Sequence, residues 1–363
     1  MRLEFSLSEK NHSLGNHFIV GLSGTVLSDL DKRILGTLRP AGVLLLKRNF
    51  NHGVAYPAWL GELRRLLDDV RAYAEREEII VSIDHEGGAV MRTPPPLTRF
   101  PEPMAYARKA GEVGAAMALE LRSIGVNVSW APLADIHSNP LNPVIGRRAL
   151  GTTSDEVAQR SLLFARALEA NGVLGCAKHF PGHGDTDTDS HRELPRLELT
   201  EAELRDRELR PFRALIESGI PFVMTGHILF PKIDPLWPAT LSPRILAMLR
   251  NELGFGNIII SDDIGMGAVA DSFATAETLG HAFSAGCDMF IVARAPDTRS
   301  ERPLALARDL FACLRRHTVT EAGLHAAYER IRGVCADRIS PSTTTPLDAA
   351  TLQRHEELRL DVL

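Results

Sequence analysis

Paired cysteines are missing from this chain. Its four cysteines, Cys176, Cys287, Cys313 and Cys335, are scattered and form no Cys-x-x-Cys pair. Reduced, buried thiols in a reducing compartment are the reading this spacing supports. Basic clusters are missing too. The formal net charge is -5, and no basic stripe of the kind that nucleic-acid binding leaves is present. No apolar run approaches the ~20 residues needed to span a bilayer. The first residues, MRLEFSLSEK, carry acidic side chains and no apolar h-region, so no secretory signal is expected. These absences exclude nucleic-acid and membrane partners and leave the expectation of a soluble, cytoplasmic protein. What is present is ordinary for a globular enzyme: 44% hydrophobic and 24% charged residues in a chain of 363.

Short apolar runs alternate with helix-length stretches. The strand candidates are Phe18–Leu22, Gly42–Leu46, Ile79–Ile83, Val126–Ala131, Val173–Ala177, Phe222–Thr225, Asn257–Ser261 and Asp288–Val292. Most are apolar throughout, as strands buried on both faces of a helix-covered parallel sheet must be. Eight such runs predict eight βα units and an α/β (β/α)₈ barrel of the TIM type, a fold that reaches this length as a single domain. An open doubly wound sheet is the alternative. Polar residues favour the barrel: Asp84, Lys178, His179, His227 and Asp262 each fall immediately after a strand candidate. In a barrel those strand ends gather on the one face where chemistry is done.

Helix boundaries are also marked. Thr200 with Glu203 and Thr153 with Glu156 fit capping boxes. Ser242 before Pro243 fits an N-cap with proline at the first helical position. Gly172, Gly219 and Gly254 stand where those helices should stop. The reading assigns residues 1–339 to the barrel and 340–363, which begins SPSTTTPLDAATLQ, to a polar C-terminal extension.

The densest polar segment is Lys178–His191, KHFPGHGDTDTDSH, with three histidines and three aspartates on a βα loop. Loops on a rigid scaffold disproportionately carry function. A second segment, SDDIGMG at Ser261–Gly267, holds two adjacent aspartates. One faces the barrel mouth, while the other supports the loop or caps the next helix. A third, IDHEGGAVMR, supplies Asp84 and Arg92 around a Gly-Gly turn.

These segments resemble the signature of family 3 glycoside hydrolases of the bacterial β-N-acetylglucosaminidase type. KHFPGHGDTDTDSH carries the resemblance. LLLKRN, IDHEGG, APLADI, IGRRAL, VMTGHILFPKIDPLWPATLS, SDDIGMGA and AGCDM follow the family's order along the chain. The resemblance covers roughly residues 15–295 and again implies a (β/α)₈ barrel. By motif position it implies Asp262 as the nucleophile and His191, paired with Asp189, as the general acid/base. It implies sugar contacts from Asp84, Arg92, Arg148, Lys178 and His179. No metal or organic cofactor is implied, and the implied partner is a GlcNAc-containing saccharide or muropeptide of cell-wall recycling.

The chemistry agrees. A retaining glycosidase needs a carboxylate that can form a glycosyl-enzyme intermediate, and an acid that later serves as base toward water. A histidine can fill the second role because its ordinary pKa near ~6.5 lies close to working pH. Asp189 would fix its tautomer and stabilise its protonated form.

Two rival readings stand beside this one. A metal-dependent hydrolase could draw ligands from His179, His183, Asp185, Asp187, Asp189 and His191. Against it, the ligands all lie within one loop and no His-Glu-x-x-His is present. A non-catalytic or altered-specificity carbohydrate-binding relative is the other. It draws on four departures from the family pattern: Ala89 for an Arg, Thr93 for an aromatic, Arg147 for a Glu, and Gly265 for a Ser. They leave the nucleophile and dyad in place and bear on the aglycone side.

Overall fold

The computed structural model describes residues 4–7, 10–188, 193–266, 269, 276–293, 300–339 and 343–363. Eight strands form one sheet: β1 (Phe18–Gly21), β2 (Gly42–Leu45), β3 (Ile80–Ile83), β4 (Val128–Ser129), β5 (Cys176–Phe180), β6 (Phe222–Thr225), β7 (Ile258–Asp263) and β8 (Met289–Val292). Each runs parallel to its sequence neighbour, and β8 pairs with β1. Between β4 and β5 the ladder reduces to the bridges Val128–Leu174 and Leu133–Lys178. Backbone bonds from Ser129 N to the Leu174 carbonyl (2.9 Å) and from Cys176 N to the Ala131 carbonyl (2.8 Å) close the gap. The result is the expected (β/α)₈ barrel.

Side chains alternate in and out with the strand period of two. Ile19, Leu44, Ile80, Cys176, Phe222, Ile258 and Ile291 fill the barrel interior. Their neighbours Val20, Val43, Val81, Ala177, Val223, Ile259 and Val292 pack beneath the helices. Burying such a side chain contributes roughly 1.5–3 kcal/mol each. The same parity has a consequence at the strand ends. Counting by twos from Ile80, Cys176 and Ile258 carries Asp84, Lys178 and Asp262 into the barrel mouth.

All eight strand candidates correspond to strands; Phe222–Thr225 matches at both ends and the other seven have shifted ends. β5 and β7 run on through Lys178, His179 and Asp262, so these residues sit within strands; only Asp84 and His227 lie beyond theirs. Thr200 and Glu203 form the capping box. Thr153 caps its helix through Glu156 N, but the Glu156 carboxylate turns to Thr152 N. Ser242 caps the helix that Pro243 opens. Gly172, Gly219 and Gly254 have φ of 80°, 84° and 66°, the left-handed geometry of a helix stop.

The helix Glu321–Arg338 closes the barrel floor, placing Ile331 and Val334 in the interior cluster. Within the expected C-terminal extension, Ala349–Asp361 forms a helix whose His355 is buried against Glu120. Among the described residues no helix is long and apolar enough to cross a membrane.

Candidate active site

At the C-terminal ends of the strands a cavity of about 120 Å³ is lined by Asp84, Val90, Arg92, Val144, Arg148, Lys178, His179, His183 and Asp262. Six of the eight residues singled out from sequence therefore meet at one place. Asp189 and His191 lie outside the described residues.

The floor of the cavity is a chain of alternating charges. Glu86, buried, takes a forked pair of bonds from Arg148, Nε and Nη2 each at 2.8 Å. It also takes Lys178 Nζ at 2.6 Å. Lys178 donates onward to Asp84 Oδ1 at 3.0 Å, and Arg92 stands 3.9 Å from the other Asp84 oxygen. Burial alone would raise the Glu86 carboxyl, but the two cations outweigh it and hold it well below the usual carboxylate range. Lys178 is pulled the same way: burial disfavours its charge, and Glu86 and Asp84 restore it and raise its pKa. Glu86 accepts from both Arg148 and Lys178 and does not itself line the cavity, so it supports the two cations that do.

A second group surrounds Asp262. β5 slips register between Lys178 and Phe180, so the consecutive Lys178 and His179 both face the cavity. The Lys178–His179 peptide is cis. His179 Nδ1 meets Asp135 Oδ2 at 2.7 Å, and the other ring nitrogen stands 3.9 Å from Asp262 Oδ2. A carboxylate only accepts, so Nδ1 carries the proton and Nε2 is turned to the cavity. Asp135 is fully buried and also accepts from His183 N at 2.8 Å. Burial would raise its carboxyl; His179, by charge and hydrogen bond, lowers it further than that.

Asp262, 23% exposed, looks into the cavity. Burial works to raise its pKa, and His179 and His227 reverse the sign, leaving it below its ordinary value. The group is an ionised, partly accessible carboxylate at neutral pH, as a nucleophile must be. Its neighbour Asp263 has the opposite parity. Asp263 Oδ1 accepts from Gly265 N and Ala293 N, both at 3.0 Å, so it ties the loop after β7 to the end of β8.

Two residues escaped the sequence reading. Asp135, inside APLADI, was quoted there without a role; it lies six residues beyond the end of β4, and no local signal marks its contact with His179. His183, named above only among the possible metal ligands, lines the cavity beside His179, ring centroids 5.8 Å apart. Burial, then the neighbouring His179, pushes its imidazole down to about 4. His227, just beyond β6, bonds Thr240 Oγ1 at 2.9 Å and stands near enough to Asp262 to lower its pKa. Among the described residues no group of three or more His, Cys, Asp or Glu side chains is arranged to hold a metal ion.

Known proteins carry the same architecture. A β-hexosaminidase of Methylococcus capsulatus is 35% identical over 284 residues, 76% of this chain and 82% of that protein. One from Neisseria meningitidis serogroup C is 33% identical over 288 residues, covering 76% and 77%. Among solved structures, a family 3 β-N-acetylglucosaminidase from Paenibacillus superposes with a TM-score of 0.86 at 31% identity, over 98% of this chain and 68% of that one. NagZ from Neisseria gonorrhoeae, in complex with N-trifluoroacetyl-D-glucosamine, gives 0.71 at 27%, over 96% and 97%. The model of the glycosyl hydrolase family 3 N-terminal domain matches residues 31–334. With an ionised aspartate at the mouth of a (β/α)₈ barrel as its candidate site, the chain belongs to glycosyl hydrolase family 3.

Proposed function

We propose that this chain removes terminal β-linked N-acetylglucosamine by hydrolysis with net retention. The observation that carries the reading is Asp262, held ionised on an inward position of β7 and facing a cavity whose other polar groups suit sugar hydroxyls. Asp262 attacks the anomeric carbon and the leaving oxygen departs, giving a glycosyl-enzyme intermediate. His191, oriented by Asp189, gives its proton to that oxygen and then takes one from the incoming water. Asp84, Arg92, Arg148, Lys178 and His179 bind the sugar. Alternating charges give directional selection, because a hydroxyl that fails to meet them leaves a buried charge unmatched at a cost of several kcal/mol.

The substrate class rests on the relatives, which are named β-hexosaminidases and β-N-acetylglucosaminidases. Peptidoglycan fragments, with GlcNAc on an anhydro-muramic unit, and a cytoplasmic role in cell-wall recycling complete the proposal by family resemblance. The test is release of nitrophenol from the β-N-acetylglucosaminide and the β-glucoside, by wild type and by Asp262→Ala. Rapid release from the N-acetyl substrate, lost by at least about a thousandfold in a folded Asp262→Ala, is the expected result. A folded wild type that releases nothing would overturn the proposal.

A further inference from the structure

At the end of the barrel opposite Asp262 lies a second cavity, of about 150 Å³. One side of it comes from the entry ends of the first three strands, at Asn16, Ala41 and Ile80. The other side is the helix Glu321–Arg338 that closes the floor, at Tyr328, Ile331 and Cys335. Ile80 opens β3 and Asp84 stands just past its end, ~13 Å of strand away, so this cavity is no part of the sugar site. Most of the wall is apolar. Ile80 and Ile331 belong to the cluster that fills the barrel interior, and so do Ala41 and Ile339. Burial pushes the Cys335 thiol up to about 12, so at neutral pH it is an uncharged surface and no nucleophile.

One cation is set into this wall. Arg76 is half-buried and held from two sides: Nε donates to the Arg39 carbonyl at 3.2 Å, and Nη2 donates to Asn16 Oδ1. Nη1 makes no bond among the described residues, so its two N–H groups are left over. No carboxylate among the described residues neutralises the guanidinium. The neighbouring Arg39 pairs with Glu75, and Arg332 on the wall pairs with Glu329 Oε2 at 2.6 Å. Glu78 also reaches the wall but forms no ion pair with Arg76. Burial, the largest influence on Arg76, lowers its pKa from the ordinary value, as it must for a charge drawn out of water without a counter-ion.

An apolar cavity of roughly 150 Å³ has room for one benzene-sized molecule. Arg76 decides what that molecule carries, since a planar guanidinium matches the two oxygens of a carboxylate. We propose that the cavity is a binding site for a small carboxylate with a compact apolar body, benzoate in size. Its carboxylate meets Arg76, and its body lies against Ile80, Ile331 and Ile339. Acetate or inorganic phosphate would leave the isoleucines facing water, and a neutral aromatic would leave Arg76 without a counter-charge. An occupant there bridges the strands and the floor helix, so it stabilises the folded chain by mass action. The proposal does not depend on the glycosidase reading.

The probe is sodium benzoate, titrated calorimetrically at constant ionic strength into the full chain as wild type, Arg76→Met and Cys335→Phe, each checked for folding by circular dichroism. Arg76→Met removes the charge; Cys335→Phe fills the space and keeps the charge. Acetate and benzyl alcohol are the controls for charge without body and body without charge. Wild type is expected to bind one benzoate with a Kd of about 1 mM or tighter. Both variants, and both control ligands on wild type, are expected to be weaker by about tenfold or more. Benzoate should also raise the melting temperature of wild type and not that of the variants. A folded wild type that binds no benzoate overturns the proposal. Binding that survives both substitutions places benzoate elsewhere, for instance among the cations of the sugar cavity, and overturns it too. Equal affinity for acetate or for benzyl alcohol does the same, by striking the apolar body or the charge from what is recognised. If Arg76→Met does not fold, Cys335→Phe and the two control ligands still decide.

Discussion

At the scale of the residue, the site depends on charges that are buried in pairs. Glu86 makes the sharpest case, since it serves both Lys178 and Arg148 and touches little else. Removing one member of such a group leaves its partners charged and uncompensated, which costs about 3–5 kcal/mol. Glu86→Gln should lower the urea midpoint accordingly at pH 7. The sign with pH follows from its depressed carboxyl. Stability from ionised Glu86 is fully present above its unfolded value of 4.5 and is lost as pH falls through its lower folded value. The gap between wild type and variant should therefore narrow below pH 4.5; a gap constant from pH 7 to pH 3 would contradict the pairing. Legibility at this scale follows the same physics. Asp84, Lys178 and Asp262 were readable because they stand at strand ends, and parity settles Asp262 against Asp263. Asp135 was not readable. Its meaning comes from His179, 44 positions away in sequence, and nothing local announces that contact.

At the scale of the element, local rules marked existence better than extent. Ser242, Thr200 and the three glycines set helix ends by short-range hydrogen bonds and φ alone, so the sequence shows them. Strand ends depend on the neighbouring ladder. β4 shrinks to Val128–Ser129 because its pairing with β5 is reduced to separate bridges, and β5 starts at Cys176 for the same reason. The π-turn Leu204–Glu208 is likewise silent in sequence, being selected by what Arg207 and Glu208 meet in space. That turn carries its own prediction. Burial is the largest influence on Glu208, followed by the opposing pull of Arg207 and then Asp135 and Asp185, and it is pushed up to about 7. With the folded value above the unfolded 4.5, the native state holds the extra proton between them. Stability then falls as pH rises from 4.5 through 7. Glu208→Gln should remove this fall, gaining up to roughly 3 kcal/mol at pH 8 and little at pH 5. Melting temperatures of both proteins across that range test it, and a pH-independent difference would refute it.

At the scale of the whole molecule, barrel closure brings together side chains from β5, β7 and the loops after β3 and β4, and the chain's last helix reaches the same loops. Glu120 is fully buried on the helix Ala110–Ser123. Its carboxylate accepts from Thr98 N at 2.9 Å and Thr98 Oγ1 at 2.6 Å, holding the segment that follows Arg92. The remaining bond, 2.8 Å, comes from His355 Nδ1 on Ala349–Asp361. Truncation before Ala349 takes that donor away and opens Glu120 to incomplete pairing, at a cost of about 1–3 kcal/mol. The loss should be felt beyond stability. Thr98 and Arg92 belong to one loop, and Arg92 lines the candidate cavity beside Asp84. KM for the nitrophenyl substrate should therefore rise about two- to fivefold in the truncated protein while kcat changes less, the pattern of weakened ground-state binding. His355→Ala, which deletes the bond and keeps the helix, should reproduce the direction of both effects. An unchanged melting temperature in that variant would show that the C-terminal helix is not coupled to the loop through Glu120.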